Sequence, residues 1–62
     1  MNQLAGVYVI IPSLNPSNKL KPYVMDLMKE GFEHIVVVDD GSKELYRNVF
    51  EELSAYPEVT LL

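Results

Sequence analysis

The 62-residue chain contains no cysteine and only three glycines. Without cysteine, neither a disulfide nor a thiolate metal site can compensate for a small core. This absence fits a reduced, cytoplasmic setting. A chain of this length buries only about 60% of the surface that it exposes when unfolded. We therefore expect at most one domain, and only part of one.

Basic residues are also scarce. Five lysines and arginines stand against nine aspartates and glutamates, for a net charge of −4 and a pI of about 4.6. Proteins that bind nucleic acid usually carry a stripe of basic side chains that neutralises phosphates. The basic residues here are scattered along the chain and outnumbered, so the composition argues against a nucleic-acid partner.

Long hydrophobic runs are missing as well. The run Val7–Ile11 is followed by Pro12 and is far shorter than the roughly 20 residues that a transmembrane helix needs. No basic segment precedes it and no small-residue cleavage site follows it, so it does not resemble a signal peptide. We expect no membrane segment in this chain. The hydrophobic content of 48% with 23% charged residues is typical of a globular protein.

The hydrophobic pattern predicts strands that alternate with helices. The predicted elements are a strand Gly6–Ile11 ended by Pro12, a helix Lys19–Glu30 with Gly31 as its left-handed C-cap, a strand His34–Val38, a helix Lys43–Ala55 and a strand Glu58–Leu62. The apolar residues at helical spacing are Leu20, Tyr23, Val24, Leu27 and Met28 in the first helix, and Leu45, Val49, Phe50 and Leu53 in the second. This order predicts an α/β protein with a parallel sheet.

Right-handed crossovers place both helices on the same face of such a sheet if the strands are added in one direction. The other face then exposes Tyr8 and Ile10 of the first strand with Val36 and Val38 of the second. Each apolar side chain left in water forgoes roughly 1.5–3 kcal/mol, and parallel sheets are nearly always covered on both faces. We therefore expect a cover, either the rest of a longer chain or a second copy in a homo-oligomer.

Two polar loops follow the first two strands, at the edge where parallel sheets bind ligands. They are Pro12–Asn18 and Asp39–Ser42. In the second loop, Asp39 can accept a hydrogen bond from a base N–H or a ribose hydroxyl. Asp40 or Ser42 can cap the following helix, and Gly41 permits a positive φ. A capped turn that binds no ligand is the alternative interpretation.

Together the two loops resemble the start of family 2 glycosyltransferases. In that family a strand ending in Pro-Thr/Ser-Tyr-Asn is followed by a strand ending in Val-Asp-Asp-Gly-Ser. The matching segments here are Val7–Asn15 and Ile35–Ser42, and the resemblance extends from Val7 to Leu62. The resemblance implies a Rossmann-like fold of the GT-A type. This chain would be the β-α-β-α-β start of the parallel sheet in the nucleotide-binding half of that three-layer fold. Residues 1–62 would then be the N-terminal portion of a nucleotide-sugar-binding domain.

The resemblance also implies a ligand and its contacts. Family members bind a nucleotide-sugar, usually a UDP-sugar, together with a divalent cation, Mg²⁺ or Mn²⁺. By residue-by-residue comparison, the nucleotide-binding residues would be Pro12, Ser13, Leu14, Asn15, Asp39 and Asp40. Asp39 would meet the uracil and ribose, Asp40 would support the site, and the first loop would act largely through its backbone. Leu14 stands where an aromatic residue is usual. The Asn15-Pro16 pair is similar to members that act on polyprenyl-phosphate acceptors.

The metal-binding Asp-X-Asp motif and the catalytic base of the family lie downstream of these first strands. The cation ligands are therefore expected outside this chain, which should hold part of the donor site and no catalytic residue. Phosphate release from a nucleotide-sugar normally needs a metal ion to neutralise charge. We expect the 62-residue chain alone to be inactive as a glycosyltransferase.

Two other classes compete with this interpretation. The stretch Ile35–Leu62 also resembles the start of a response-regulator receiver domain, in which an acidic pair after the first strand binds magnesium. However, a complete strand and helix precede Asp39 here, and no aspartate follows Asp40 to serve as phosphoacceptor. The other alternative is a small α/β interaction module. A nucleotidyltransferase is disfavoured because the first loop lacks a glycine-rich run.

Overall fold

A computed structural model describes residue 4 and residues 6–62 of the chain. Its elements are β1 (Tyr8–Ser13), α1 (Leu20–Glu30), β2 (His34–Asp39), a 3₁₀ turn (Glu44–Tyr46), α2 (Arg47–Ser54) and β3 (Val59–Leu61). The predicted β-α-β-α-β order and α/β class are confirmed. The predicted domain includes residues 1–3 and 5, which lie outside the described residues.

The three strands form one parallel sheet in the order β1-β2-β3. Between β1 and β2 the register runs from Tyr8 opposite His34 to Ser13 opposite Asp39. Parallel strands in this register end side by side, so the loops that follow β1 and β2 leave the sheet at neighbouring points. The register thus places the two candidate loops together.

Pro12 lies inside β1, and the prediction that it ends the strand is wrong. The carbonyl oxygen of Ser13 accepts a hydrogen bond from the Asp40 N–H at 2.9 Å, so this part of Ser13 faces β2. Successive residues of a strand alternate in direction, and the nitrogen of Pro12 therefore faces away from β2. Because β1 is an edge strand, no ladder hydrogen bond is lost there.

Both helices pack on one face of the sheet, as predicted. The buried core residues form a single cluster that joins both helices to β2 and β3: Leu20, Val24, Ile35, Val37, Phe50, Leu53 and Val59. On the opposite face, Tyr8 and Ile10 are 64% and 63% exposed. Tyr8 also stacks on His34, with ring centroids 4.4 Å apart and planes at 8°. We call the face that carries the helices the covered face and the other the uncovered face.

The first helix is close to its prediction. It begins at Leu20, and Pro22 falls in the first turn, where a missing N–H costs nothing. Gly31 ends it with φ of 105°, and its N–H donates to the carbonyl oxygen of Met28 at 3.0 Å. The predicted left-handed cap is confirmed. Tyr23 was expected on the inward face but is 51% exposed, because it lies on the flank of the stripe beside the first loop.

The second helix is shorter than predicted, since Glu44–Tyr46 forms a 3₁₀ turn and α2 begins at Arg47. Leu45 was expected to point inward, yet it is 72% exposed. A 3₁₀ turn has three residues per turn instead of 3.6, so Leu45 is rotated away from the stripe that Phe50 and Leu53 form. Its assignment to the core is wrong.

Candidate functional site

The candidate site lies at the carboxyl ends of β1 and β2. Strand pairing continues one step beyond the sheet, because the Asp40 N–H bonds to the Ser13 carbonyl oxygen. Ser13 is also the buried polar residue of the described chain, at 7% exposure. The first loop therefore starts from a fixed point, directly beside the start of the second loop.

Two further hydrogen bonds join the loops to each other. The N–H of Asn15 donates to the Ser42 Oγ at 2.8 Å, and the N–H of Lys43 donates to the Asn15 Oδ1 at 2.9 Å. The Ser42 hydroxyl in turn lies 3.5 Å from the Ser13 carbonyl oxygen, to which it donates. We call this pair of residues, Asn15 and Ser42, the clasp.

Asp39 is tied to the same arrangement. Its Oδ1 accepts a hydrogen bond from the N–H of Ser42 at 2.8 Å, so one carboxylate oxygen closes its own turn. Gly41 in that turn has φ of 86°, and the positive φ expected there is confirmed. The side chain of Asp39 is nevertheless exposed. Its second oxygen, Oδ2, is thus part of a surface group whose orientation is fixed by the turn.

The predicted side-chain cap on the second helix is not formed. Neither the 3₁₀ turn nor α2 has a side-chain hydrogen bond at its start. The Ser42 hydroxyl instead accepts from the Asn15 N–H and donates to the Ser13 carbonyl oxygen. Asp40 is exposed and takes part through its backbone N–H. The Ser42 hydroxyl and the Asp40 N–H therefore bond across to Asn15 and Ser13 instead of capping the second helix.

Two clefts adjoin the clasp, one lined by Ser42 and the other by Asn15. The larger, of about 560 Å³, is lined by Asp39, Ser42, Lys43, Glu44, Arg47, Phe50, Glu51 and Leu61. The smaller, of about 370 Å³, is lined by Ile11, Pro12, Ser13, Leu14, Asn15, Pro16, Ser17, Lys19, Leu20 and Tyr23. The predicted nucleotide-binding residues are thus divided: Asp39 faces one cleft, the first-loop residues face the other, and Asp40 lines neither of them.

The sequence pattern did not identify Arg47 or Phe50 as residues of a binding cleft. Arg47 lines it, and its guanidinium lies 3.6 Å from the Glu44 carboxylate at the exposed surface. Arg47 reaches this position because the 3₁₀ turn places the start of α2 beside Asp39. Phe50 was predicted to be buried for its helical spacing, and it forms the apolar floor of the cleft at 3% exposure. The cleft combines charged walls with an apolar floor.

The residues present do not fit a divalent cation. In the part of the chain that the structure describes, no three or more histidine, cysteine, aspartate or glutamate side chains lie together where they could hold a metal ion. Asp39 and Asp40 provide two carboxylates, and no third such side chain of the described residues lies with them. Of the helices in residues 6–62, none is long and apolar enough to cross a membrane.

Comparison with known proteins relates the chain to a glycosyltransferase. It is 36% identical over 47 residues to a UDP-N-acetylglucosamine–dolichyl-phosphate N-acetylglucosaminyltransferase of Methanococcus voltae, across 76% of this chain and 19% of that enzyme. It is 40% identical over 38 residues to an uncharacterised protein of Methanocaldococcus jannaschii, across 61% of this chain and 16% of that protein. The chain spans less than a fifth of the length of these relatives. No family model matches it, and no solved structure does.

Proposed function

We propose that the chain is the N-terminal nucleotide-binding segment of a family 2 glycosyltransferase with a GT-A type fold. The observation that carries the proposal is the register that sets Ser13 opposite Asp39. It brings together the two loops that resemble the donor-binding loops of that family. The partial similarity to an N-acetylglucosaminyltransferase supports the same assignment.

The topology also supports a Rossmann-like half-domain. A strand order of β1-β2-β3 with both crossover helices on one face is the arrangement of one half of a doubly wound fold. In such folds the ligand binds beyond the carboxyl ends of the strands, at the point beside β1 where the strand order reverses. The loop Pro12–Asn15 lies at that end of β1, and Asp39 ends the neighbouring strand.

In this proposal Asp39 recognises the nucleotide. The turn holds its Oδ1, and Oδ2 accepts a hydrogen bond from the uracil N–H or a ribose hydroxyl. A carboxylate that is already oriented loses less conformational freedom when the ligand binds. Pro12, Ser13 and Leu14, which line the smaller cleft, would contact the nucleotide largely through their backbone, and Asp40 supports the site from its pairing with Ser13.

For the whole protein we propose a UDP-sugar as donor and a polyprenyl phosphate as acceptor, in the cytoplasm. The relative from Methanococcus voltae is named for a UDP-sugar and a dolichyl phosphate, which is the support for both. The divalent cation would be held by residues beyond this chain, since the described residues offer no ligand set. The 62-residue segment alone would bind nucleotide weakly and transfer no sugar.

We also propose that the isolated segment is a homo-oligomer, formed by a second copy seated on the uncovered face. The strand residues of that face are Tyr8, Ile10, Pro12, His34, Val36, Val38 and Thr60, and none is an aspartate, glutamate, lysine or arginine. Two copies of a chain with net charge −4 repel each other least where the contact is uncharged. A twofold pairing of this patch with itself is the simplest closed arrangement.

The test of the nucleotide site is titration of UDP into the full-length protein by calorimetry. Asp39→Ala should weaken binding by roughly 1–3 kcal/mol, the scale of a lost hydrogen bond to a charged group. Asp26→Ala is the matched control, because Asp26 is an exposed aspartate on α1, outside both clefts. Equal affinity in the wild type and Asp39→Ala would remove Asp39 from the site.

A further inference from the structure

The clasp connects residues that are far apart in the chain. The Asn15–Ser42 bond spans 27 residues and the Lys43–Asn15 bond spans 28. Asn15 contributes one donor and one acceptor, Ser42 the matching acceptor, and Lys43 the matching donor. Asn15 therefore links the two strand-end segments through two separate hydrogen bonds.

The hydrogen bonds of the clasp continue to the proposed ligand-binding carboxylate. Ser42 accepts from Asn15 through its Oγ and donates through its backbone N–H to the Asp39 Oδ1. A shift of Ser42 therefore moves Asp39 as well. The first loop can influence the orientation of Asp39 in this way, although Asn15 and Asp39 lie on different strand-end loops.

The backbone of Asn15 is adapted to this role. Its φ is 47°, and among the described residues other than glycine it is the one with a positive φ. Asparagine tolerates this left-handed conformation better than most residues. The conformation lets one residue offer its N–H to Ser42 and its side-chain oxygen to the N–H of Lys43.

We propose that Asn15 and Ser42 are positioning residues, which fix the spacing of the two loops and the orientation of Asp39 without contacting the nucleotide. The resemblance to the family places Asn15 among the nucleotide-binding residues, and the geometry points to a different role. Its Oδ1 accepts a hydrogen bond from the Lys43 N–H within the protein. The clasp itself is a property of the fold, and its effect on affinity rests on the proposed function.

The experiment compares three variants in the full-length protein without ligand. Asn15→Gly keeps the left-handed backbone at no steric cost and removes the Oδ1 acceptor. Asn15→Asp keeps an oxygen at that position, and Ser42→Ala removes the hydroxyl. Asn18→Gly is the matched control in the same loop, because the side chain of Asn18 makes no hydrogen bond within the described chain.

Hydrogen exchange of the Lys43 and Asn15 amides, followed by NMR, reports the clasp directly. We expect exchange of the Lys43 amide to become about tenfold faster in Asn15→Gly, and that of the Asn15 amide to do so in Ser42→Ala, because each loses the acceptor that protects the amide. Asn15→Asp and Asn18→Gly should exchange like the wild type. Wild-type rates in Asn15→Gly and Ser42→Ala would overturn the proposal.

Binding of uridine, which carries no phosphate charge, separates positioning from contact. If Asn15 acts by position, Asn15→Asp binds uridine within about twofold of the wild type, while Asn15→Gly binds it several-fold more weakly. Loss of binding in Asn15→Asp at unchanged amide exchange would overturn the positioning role and make the Asn15 amide a contact. A wild-type protein that does not bind uridine would instead contradict the proposed function, and the exchange rates would still decide the clasp.

Discussion

The two faces of the sheet are built from the same kinds of side chain and have opposite environments. On the covered face, Ile35 and Val37 are fully buried beneath the helices. On the uncovered face, Ile10 is 63% exposed. Val36 and Val38 of the adjoining strand β2 are half-buried there. The difference arises from connection handedness, because two right-handed crossovers in one direction put both helices on one side. Apolar composition alone therefore does not show which face is covered.

The largest expected effect is on the free energy of unfolding, and it compares the same isoleucine-to-alanine substitution on the two faces of the sheet. Ile35→Ala removes a fully buried side chain and should lower the free energy of unfolding by about 2–5 kcal/mol. Ile10→Ala removes the same atoms from a side chain that is mostly exposed, and should change the free energy by less than about 0.5 kcal/mol. Urea unfolding at low micromolar protein measures both.

Similar losses for the two alanine variants would contradict this comparison. They would mean that Ile10 is buried even at low concentration, by a partner copy that does not dissociate. The uncovered face would then be an obligate interface, whose stability cannot be separated from protein concentration.

The second prediction tests the second copy itself. Ile10→Lys places a charge in the middle of the uncovered face and should weaken self-association of the 62-residue chain at least tenfold, since an unpaired buried charge costs several kcal/mol. Leu45→Lys is the matched control, because Leu45 is 72% exposed and lies outside that face. Light scattering at several concentrations gives the mass of each.

We expect a dimer for the wild type and for Leu45→Lys, and a monomer for Ile10→Lys. A wild-type chain that is well folded and monomeric at every concentration would contradict the proposed oligomer. The chain would then be stable with its uncovered face exposed to water.

Much of the fold could be predicted because it depends on local signals. The apolar runs predicted the strands, and Gly31 and Gly41 marked the positive φ angles that end α1 and turn the chain after β2. Leu45 was misplaced because the helical pattern assumed 3.6 residues per turn, whereas that segment winds as a 3₁₀ turn. Pro12 was misread because its effect on a strand depends on whether the strand is at an edge, which is a property of the sheet order.

The candidate site could be located from the sequence but not assembled from it. The two loops were identified by their residue types and by the rule that ligands bind at the carboxyl ends of strands. The hydrogen bonds that Asn15 makes with Ser42 and Lys43 depend on the register between β1 and β2. A local rule therefore assigned Ser42 to a helix cap, although its hydroxyl bonds to a loop 27 residues away.

The smallest expected effect concerns a polar contact at the margin of the covered face. The Lys21 Nζ donates to the Glu52 Oε2 at 2.8 Å and joins α1 to α2 across the surface. This hydrogen bond and the charge of Glu52 raise the pKa of Lys21 above its ordinary value of 10.5. Both side chains are about half exposed, at 44% and 56%, so water and salt screen the interaction.

Lys21→Met should therefore destabilise the chain only slightly, far less than Ile35→Ala. Because the pKa of Lys21 is higher in the folded state, its contribution is fully present below about pH 10.5 and is lost as the pH rises through the raised pKa. The difference in melting temperature between the wild type and Lys21→Met should be constant from neutral pH to the onset of lysine titration and shrink above it. Lys29→Met, an exposed lysine at the other end of α1, is the control for the loss of a lysine outside this contact. A difference that stays unchanged in alkali and at high salt would contradict this account and would mean that Lys21 stabilises the helix pair by packing its aliphatic stem.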